Sequence, residues 1–317
     1  MKKIEGLNIN WQIDYFCNYE CPYCPILIPD KKNNKQKINP EKIHEFFKNI
    51  HNSNIVISGG EPFLFPKFVE ICKSITNNNN KISIITNLSS DEIFDFANNI
   101  NPESISYIRA SLHLTELKKY NSKKEFIERY NYLVKKGFHV EVPIVMWPPI
   151  FKNIYKIYNE FVNKGIYLIP MSFFGEYKGK TYPEAYTRKE HELIKKLFEN
   201  TVHNFKIKTN NYTEISNKKI SFKGKHCSAG LIYIVILPNG NIRRCFSENI
   251  ILGNIESSKE LELFKEKKIC ISKYCLCPGE GYSFCLNDSE REKIKIKTKN
   301  KNIFNKMLNK LINNEQN

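Results

Sequence analysis

The feature that most constrains this chain is an alternation. From Leu7 onward, short runs rich in β-branched residues alternate with longer segments of helical pattern, six times in about two hundred residues. The candidate strands are 7–15, 54–58, 81–86, 104–111, 140–146 and 167–173. Helices are expected to begin near Pro40, Pro66, Asp91, Ser122, Lys152 and Lys189, several with a proline or a capping Asp or Ser in place. Parallel strands joined by crossover helices satisfy such a pattern. Six units are too few for the closed eight-stranded barrel, so the expected fold class is α/β, a partial (β/α)6 TIM-like barrel. Ligands of such folds sit at the carboxyl ends of the strands, which directs attention to the loop after each strand.

After about Thr201 the pattern changes to short strands and cysteine-bearing loops. The expected division is a barrel over 1–205, a small cysteine-rich α+β domain over 206–290 and a basic tail over 291–317, in which Ile303, Phe304, Met307, Leu308, Leu311 and Ile312 recur at helical spacing. No apolar run reaches signal-peptide or membrane length, so a soluble cytoplasmic protein is expected, not an integral membrane one. Ten cysteines in that compartment point to metal or redox chemistry, not disulfides. The net charge of +16 invites a nucleic-acid reading. The tail, however, holds eight Lys and Arg against two Glu, and the other lysines are scattered among asparagines. The excess reads as solvated surface, and nucleic acid is not the expected partner.

The first strand runs into "DYFCNYECPYCPI", which places Cys17, Cys21 and Cys24 within eight residues. Three thiolates leave one iron of a four-iron cluster without a protein ligand, and an open position distinguishes a catalytic metal site from a closed one. The segment resembles the signature of the radical S-adenosylmethionine (SAM) superfamily, CxxxCxxC with an aromatic residue, here Tyr23, before the last cysteine. The resemblance implies a 4Fe-4S cluster on the three cysteines and SAM on the open iron. The reduced cluster would then split SAM to a 5′-deoxyadenosyl radical that abstracts hydrogen from a substrate.

Other strand ends extend the likeness. "ISGGEP" resembles the family's GGE motif, which implies that Gly59, Gly60 and Glu61 hold the SAM amino group, with the carboxylate facing the ammonium. "ITNL" is similar to the family's TNG segment, with Thr86 and Asn87 in place and Leu88 where the glycine stands. "RASLH" is similar to the SLD segment, implying that Ser111 meets the SAM ribose, while His113 stands where relatives carry Asp. His113 and Glu116 could form an acid–base pair, though a histidine at a strand end is more often structural.

A second cysteine group comprises Cys227, Cys245, Cys270, Cys275, Cys277 and Cys285. The "PNG" turn between Cys227 and Cys245 predicts a hairpin that turns both toward one site. Their C-x12-G-x4-C spacing resembles the opening of SPASM and twitch domains, which implies an auxiliary 4Fe-4S cluster. Six thiols do not fully ligate two clusters, so one twitch-like cluster is expected on Cys227, Cys245, Cys275 and Cys277, with Cys270 and Cys285 as alternates. A closed zinc site would use the same thiolates. Cys72 fits a buried helix position.

The expected function is a radical SAM oxidoreductase or maturase that oxidises or cross-links a peptide or small molecule, fed by an electron donor such as flavodoxin or ferredoxin. No extra domain ahead of the first strand is visible for binding a leader. Redox-neutral epimerisation, with Cys270 or Cys285 returning a hydrogen atom, is the alternative. A zinc-bearing nucleic-acid-binding protein would explain charge and cysteines but not "GGEP" at a strand end.

Overall fold

The computed structural model describes residues 3–26, 38–205, 222–257 and 261–272. Two short strands, β1 (Ile4–Glu5) and β3 (Ile50–His51), form a parallel pair. The main sheet begins with β2 (Asn8–Asp14), followed in space by β4 (Asn54–Gly59), β5 (Lys81–Thr86), β6 (Ile105–Ala110), β7 (Val140–Met146) and β8 (Leu168–Ser172), all parallel. These are the six expected strands, and the sheet they form is open.

The crossover helices are α1 (Pro40–Phe47), α2 (Phe68–Thr76), α3 (Glu92–Asn99), α5 (Lys123–Lys135), α6 (Ile154–Val162) and α7 (Arg188–Phe205), with a short α4 (Leu114–Lys119) after β6 that the sequence pattern did not reveal. A small hairpin, β9 (Gly175–Tyr177) with β10 (Lys180–Tyr182), follows β8. Asn39 caps α1, its side chain accepting from the Glu41 N–H at 2.9 Å. Asp91 and Ser122 stand at helix starts as expected, but neither side chain caps. The Asp91 carboxylate instead receives the Arg129 guanidinium at 2.7 Å. None of the helices among the described residues is long and apolar enough to cross a membrane.

The two faces of the sheet differ in chemistry. Ile9, Trp11 and Ile13 of β2, Ile55 and Ile57 of β4, and Ile82 and Ile84 of β5 are buried. Trp11 packs at 5.2 Å, tilted, on Phe47 of α1, so this set faces the helices. Each such side chain contributes about 1.5–3 kcal/mol of burial. The alternate residues face the concave side and are largely polar: Asn10 and Gln12 on β2, Ser58 opposite Gln12, Ser83 on β5, and Arg109 paired with Glu141 across β6 and β7 at 2.8 Å.

The chain past residue 221 joins the same sheet. Strands β12 (Tyr233–Ile236), β13 (Asn241–Cys245) and β14 (Glu248–Asn254) extend it, β12 pairing in parallel with β2, so the described order is β14-β13-β12-β2-β4-β5-β6-β7-β8. The "PNG" turn forms the expected β12–β13 hairpin, with Gly240 at φ 79. Strands β11 (His226–Cys227) and β15 (Lys268–Ile269) pair antiparallel beside it. Arg244 binds this region together: buried, it forks onto both oxygens of Glu248 at 2.7 Å and donates to the carbonyls of Ala229 and Lys268 at 3.0 Å. Residues 222–257, past the expected boundary near 205, share the barrel's sheet. The short-strand pattern expected after Thr201 starts inside α7, where Thr201 ties the helix to the Leu168 carbonyl at 2.7 Å. The tail helix lies outside the described residues.

Candidate active site

The cysteine loop leaves β2 at Asp14 and is fastened to β4. Asp14 Oδ1 accepts from the Tyr15 and Phe16 N–H groups at 2.6 and 3.2 Å, turning the chain. Gly60 N–H donates to the Asp14 carbonyl at 2.7 Å and Glu61 N–H to that of Phe16 at 2.8 Å. A Cβ on Gly60 would fall 1.8 Å from the Phe16 carbonyl oxygen, and Gly59 has φ 129. The glycines were expected to admit a ligand; here they admit the cysteine loop itself.

Glu61 is 1% exposed. Its Oε1 accepts from the Thr86 hydroxyl at 2.6 Å and the Phe63 N–H at 3.1 Å, and its Oε2 from the Asn87 N–H at 2.6 Å. Burial raises its pKa to about 7, with these three donors acting against the rise. The carboxylate expected to face an ammonium accepts from protein donors that join the ends of β4 and β5. Asn87 carries the link onward: its Nδ2 donates to Asn18 Oδ1 at 3.1 Å and lies 3.8 Å from Cys17 Sγ. Leu88, where the family motif has glycine, adopts φ 54, a left-handed conformation costing about 1 kcal/mol. Its N–H reaches Thr86 Oγ1 at 3.0 Å and its carbonyl the Arg129 guanidinium at 3.1 Å. Ser111, half-buried at the end of β6, donates its N–H to the Thr86 carbonyl at 2.8 Å.

On its other side the loop rests on α4. Glu116, buried, accepts the Glu20 N–H at 3.2 Å; Lys119 pairs with the Glu20 carboxylate at 2.8 Å; the Tyr120 ring stacks on Tyr19 at 5.8 Å. His113 Nδ1 meets the Tyr23 hydroxyl at 3.2 Å, and Trp147 packs on Tyr23 at 5.4 Å. Burial pulls the His113 pKa down to about 4. His113 and Glu116 thus each grip the cysteine segment. Asn18, Glu20, Lys119 and Trp147 had no pattern in the sequence to mark them.

The donor set of the loop suits an iron–sulfur cluster. Burial pushes the Cys21 thiol pKa up, and the charges of Glu116, Cys17 and Cys24 push it further, so three thiolates here call for positive charge. Among the described residues no three His, Cys, Asp or Glu side chains are grouped as a single metal ion would need. A cubane cluster asks instead for one thiolate per iron.

The second thiol group assembles around the hairpin. Cys227, Cys245 and Cys270 are buried in one cluster with Phe222, Tyr233, Val235 and Leu237. Cys270 is fixed beside Cys227 by its N–H to the Lys225 carbonyl at 2.8 Å and its carbonyl to Gly224 N–H at 2.9 Å. An expected alternate thus joins the hairpin pair, while Cys275, Cys277 and Cys285 lie outside the described residues. Because Val235 pairs with both Asn10 and Arg243, Cys245 stands level with the start of β2. The two thiol groups occupy opposite ends of that strand, about 20 Å apart along it.

An open parallel barrel with three thiols after its first strand, braced by the ends of the next three, defines the class. The model of the radical SAM superfamily matches residues 11–159. That match gives the chain a radical SAM domain, a domain that implies a 4Fe-4S cluster and SAM. No curated protein matches the sequence. Among solved structures, Streptococcus suis SuiB bound to precursor peptide SuiA is similar at 16% identity and TM-score 0.51, over 79% of this chain and 63% of that one. Native anSMEcpe with bound AdoMet is similar at 17% identity and TM-score 0.57, over 88% and 83%. The same protein with AdoMet and the Kp18Cys peptide gives 18% and 0.55, over 83% and 80%. These likenesses show a shared fold, and the chain spans less than two thirds of SuiB's length.

Two predictions follow from the loop's fastenings. Glu116→Ala removes the acceptor for Glu20 N–H and lowers the iron retained after reconstitution, whereas Glu116→Gln, which keeps an acceptor oxygen, retains more; equal iron in both would contradict the contact. The second concerns pH. Glu61's folded pKa of about 7 lies above its ordinary 4.5, so the folded state holds the extra proton and its stability falls as pH rises from 4.5 to 7, by on the order of 3 kcal/mol. His113, depressed from 6.5 to about 4, acts oppositely, its contribution being lost as pH falls through that window. Between 4.5 and 6.5 the two oppose each other. Glu61→Gln removes one side, and denaturant unfolding of that variant is expected to show stability rising with pH from 4 to 6.5 more steeply than in the wild type.

Proposed function

We propose that this chain is a radical SAM enzyme that abstracts hydrogen from a peptide, with a second iron–sulfur cluster supporting oxidation or cross-linking. The observation that carries the reading is the fastening of Cys17, Cys21 and Cys24 at the carboxyl end of β2, between the ends of β4 and β5 and the start of α4. When bound, the cluster and SAM supply an electron and a 5′-deoxyadenosyl group whose radical takes a hydrogen atom from the substrate.

The chain's own residues have distinct tasks. Cys17, Cys21 and Cys24 hold the irons, and Tyr23 closes the site under Trp147 and His113. Glu61, surrounded by Thr86, Phe63 and Asn87, acts on SAM by shaping the backbone of 59–61 instead of by meeting the ammonium with its side chain. Asn87 and Ser111 stand beside it at neighbouring strand ends. The polar concave face below offers hydrogen-bonding groups to a substrate. A low-potential donor such as flavodoxin or ferredoxin supplies the electron.

Peptide as substrate class is supported by the structures of SuiB with a precursor peptide and anSMEcpe with a peptide, which share the fold. An auxiliary cluster is supported by the convergence of Cys227, Cys245 and Cys270 in one buried group. With Cys270 placed there, it is better suited to ligation than to serving as a lone hydrogen donor, which weighs against epimerisation.

Anaerobic reconstitution tests the reading. The wild type is expected to bind two 4Fe-4S clusters and, with SAM and a strong reductant, to release 5′-deoxyadenosine slowly without substrate. Replacing Cys17, Cys21 and Cys24 by Ala should remove about half the iron and all of that release. A protein that takes up zinc and no iron would refute the proposal.

A further inference from the structure

Arg243 stands apart from the other arginines. Among the described residues, Arg109 pairs with Glu141, Arg129 with Asp91, Arg188 with Glu192 and Arg244 with Glu248. Among the described residues Arg243 has no carboxylate partner, and its Nε is buried with no hydrogen-bond acceptor. A buried guanidinium N–H without an acceptor costs free energy that a bound anion would recover.

Strand register places this side chain. Arg243 is paired with Val235, Val235 with Asn10, Asn10 with Val56 and Val56 with Ser83, so all five share one row. Trp11, next to Asn10, packs on α1, which puts this row on the concave side. Cys245, two residues further along β13, shares that face. The cation stands inside the barrel between the two thiol groups.

We propose that Arg243 anchors a carboxylate of the substrate in the barrel interior. A single guanidinium fork matches the geometry and the single charge of a carboxylate better than a phosphate of nearly two charges. The row around it, Asn10 and Ser83, provides neutral hydrogen-bonding groups and no competing acid. Resting on the peptide reading above, the inference assigns that carboxylate to an Asp or Glu side chain or a chain terminus. It fixes the substrate at the level between the site of SAM and Cys245.

Equilibrium dialysis of the iron-loaded, SAM-bound full chain tests this. The probes are two amidated tetrapeptide pools, one with Asp or Glu at a fixed position and one with Asn or Gln there, and a third arm sets glutarate against glutaramide. The wild type is expected to retain the acidic pool at least tenfold better than the neutral one, Arg243→Gln to lose that preference and Arg243→Lys to keep part of it. Preference for glutarate alone would move the carboxylate from a peptide to a free acid and overturn the peptide assignment. Equal retention of both pools by the wild type, or an acidic preference that survives in Arg243→Gln, would overturn the anchor. Iron content and substrate-free 5′-deoxyadenosine release are read on the same samples. Normal values with no acidic preference sink this inference alone, whereas a wild type without iron sinks the underlying reading as well.

Discussion

The buried carboxylate of Glu61 is the constraint on which the site depends. It sits at the end of β4 and gathers donors from three places: the Phe63 N–H just after it, the Thr86 hydroxyl at the end of β5 and the Asn87 N–H beyond. The Thr86 and Asn87 bonds are short at 2.6 Å, and the group is shut off from water, where charge-assisted hydrogen bonds are strongest and an unpaired one costs most. The same residue's N–H holds the Phe16 carbonyl, and Asn87 reaches Asn18 and Cys17. One residue therefore ties β4 and β5 through its side chain and the cysteine loop through its backbone. The loop's other flank is set by α4 through Glu116, Lys119 and His113.

Much of this was legible in the sequence because it follows from period and spacing. The six parallel strands came from β-branched runs such as 81–86, and the PNG hairpin from its turn residues. What was not legible depends on contacts across the fold. Six-residue α4 is too short to leave a periodic trace, yet it supports the loop. That Gly59 and Gly60 allow a close approach is legible in the sequence, but not that the backbone of Asp14 and Phe16 lies against them. The spacing of His113 and Glu116 allows an acid–base pair or a structural role, and does not show that each faces a different residue of the cysteine loop. Cys270 was ranked behind Cys275 and Cys277 on local turn chemistry, whereas the pairing of β11 with β15, which brings it beside Cys227, is non-local.

The extension of the sheet through β12 gives the two cysteine groups a common frame. Parallel pairing of β12 with β2 fixes the hairpin's register against the strand that delivers the first cysteines. The buried Arg244–Glu248 pair then holds β11, β13 and β15 around the second group. Removing one partner of such a pair strands a buried charge, at about 3–5 kcal/mol. Between the two groups lies a concave face whose polar character, from Gln12 to Arg109 and Glu141, contrasts with the isoleucine-rich face under the helices. An interior of that kind suits a polar substrate held within reach of one end and in line with the other.

The central claim is that the thiols of Cys17, Cys21 and Cys24 hold a cluster whose remaining iron is open to SAM. Electron–nuclear double resonance of the reduced, iron-loaded full chain with SAM labelled in its carboxylate by oxygen-17 tests it directly. The account predicts a hyperfine coupling from the labelled oxygen that disappears when Cys17, Cys21 and Cys24 are replaced by Ala. An iron-loaded wild type that shows the cluster signal but no coupling would contradict it.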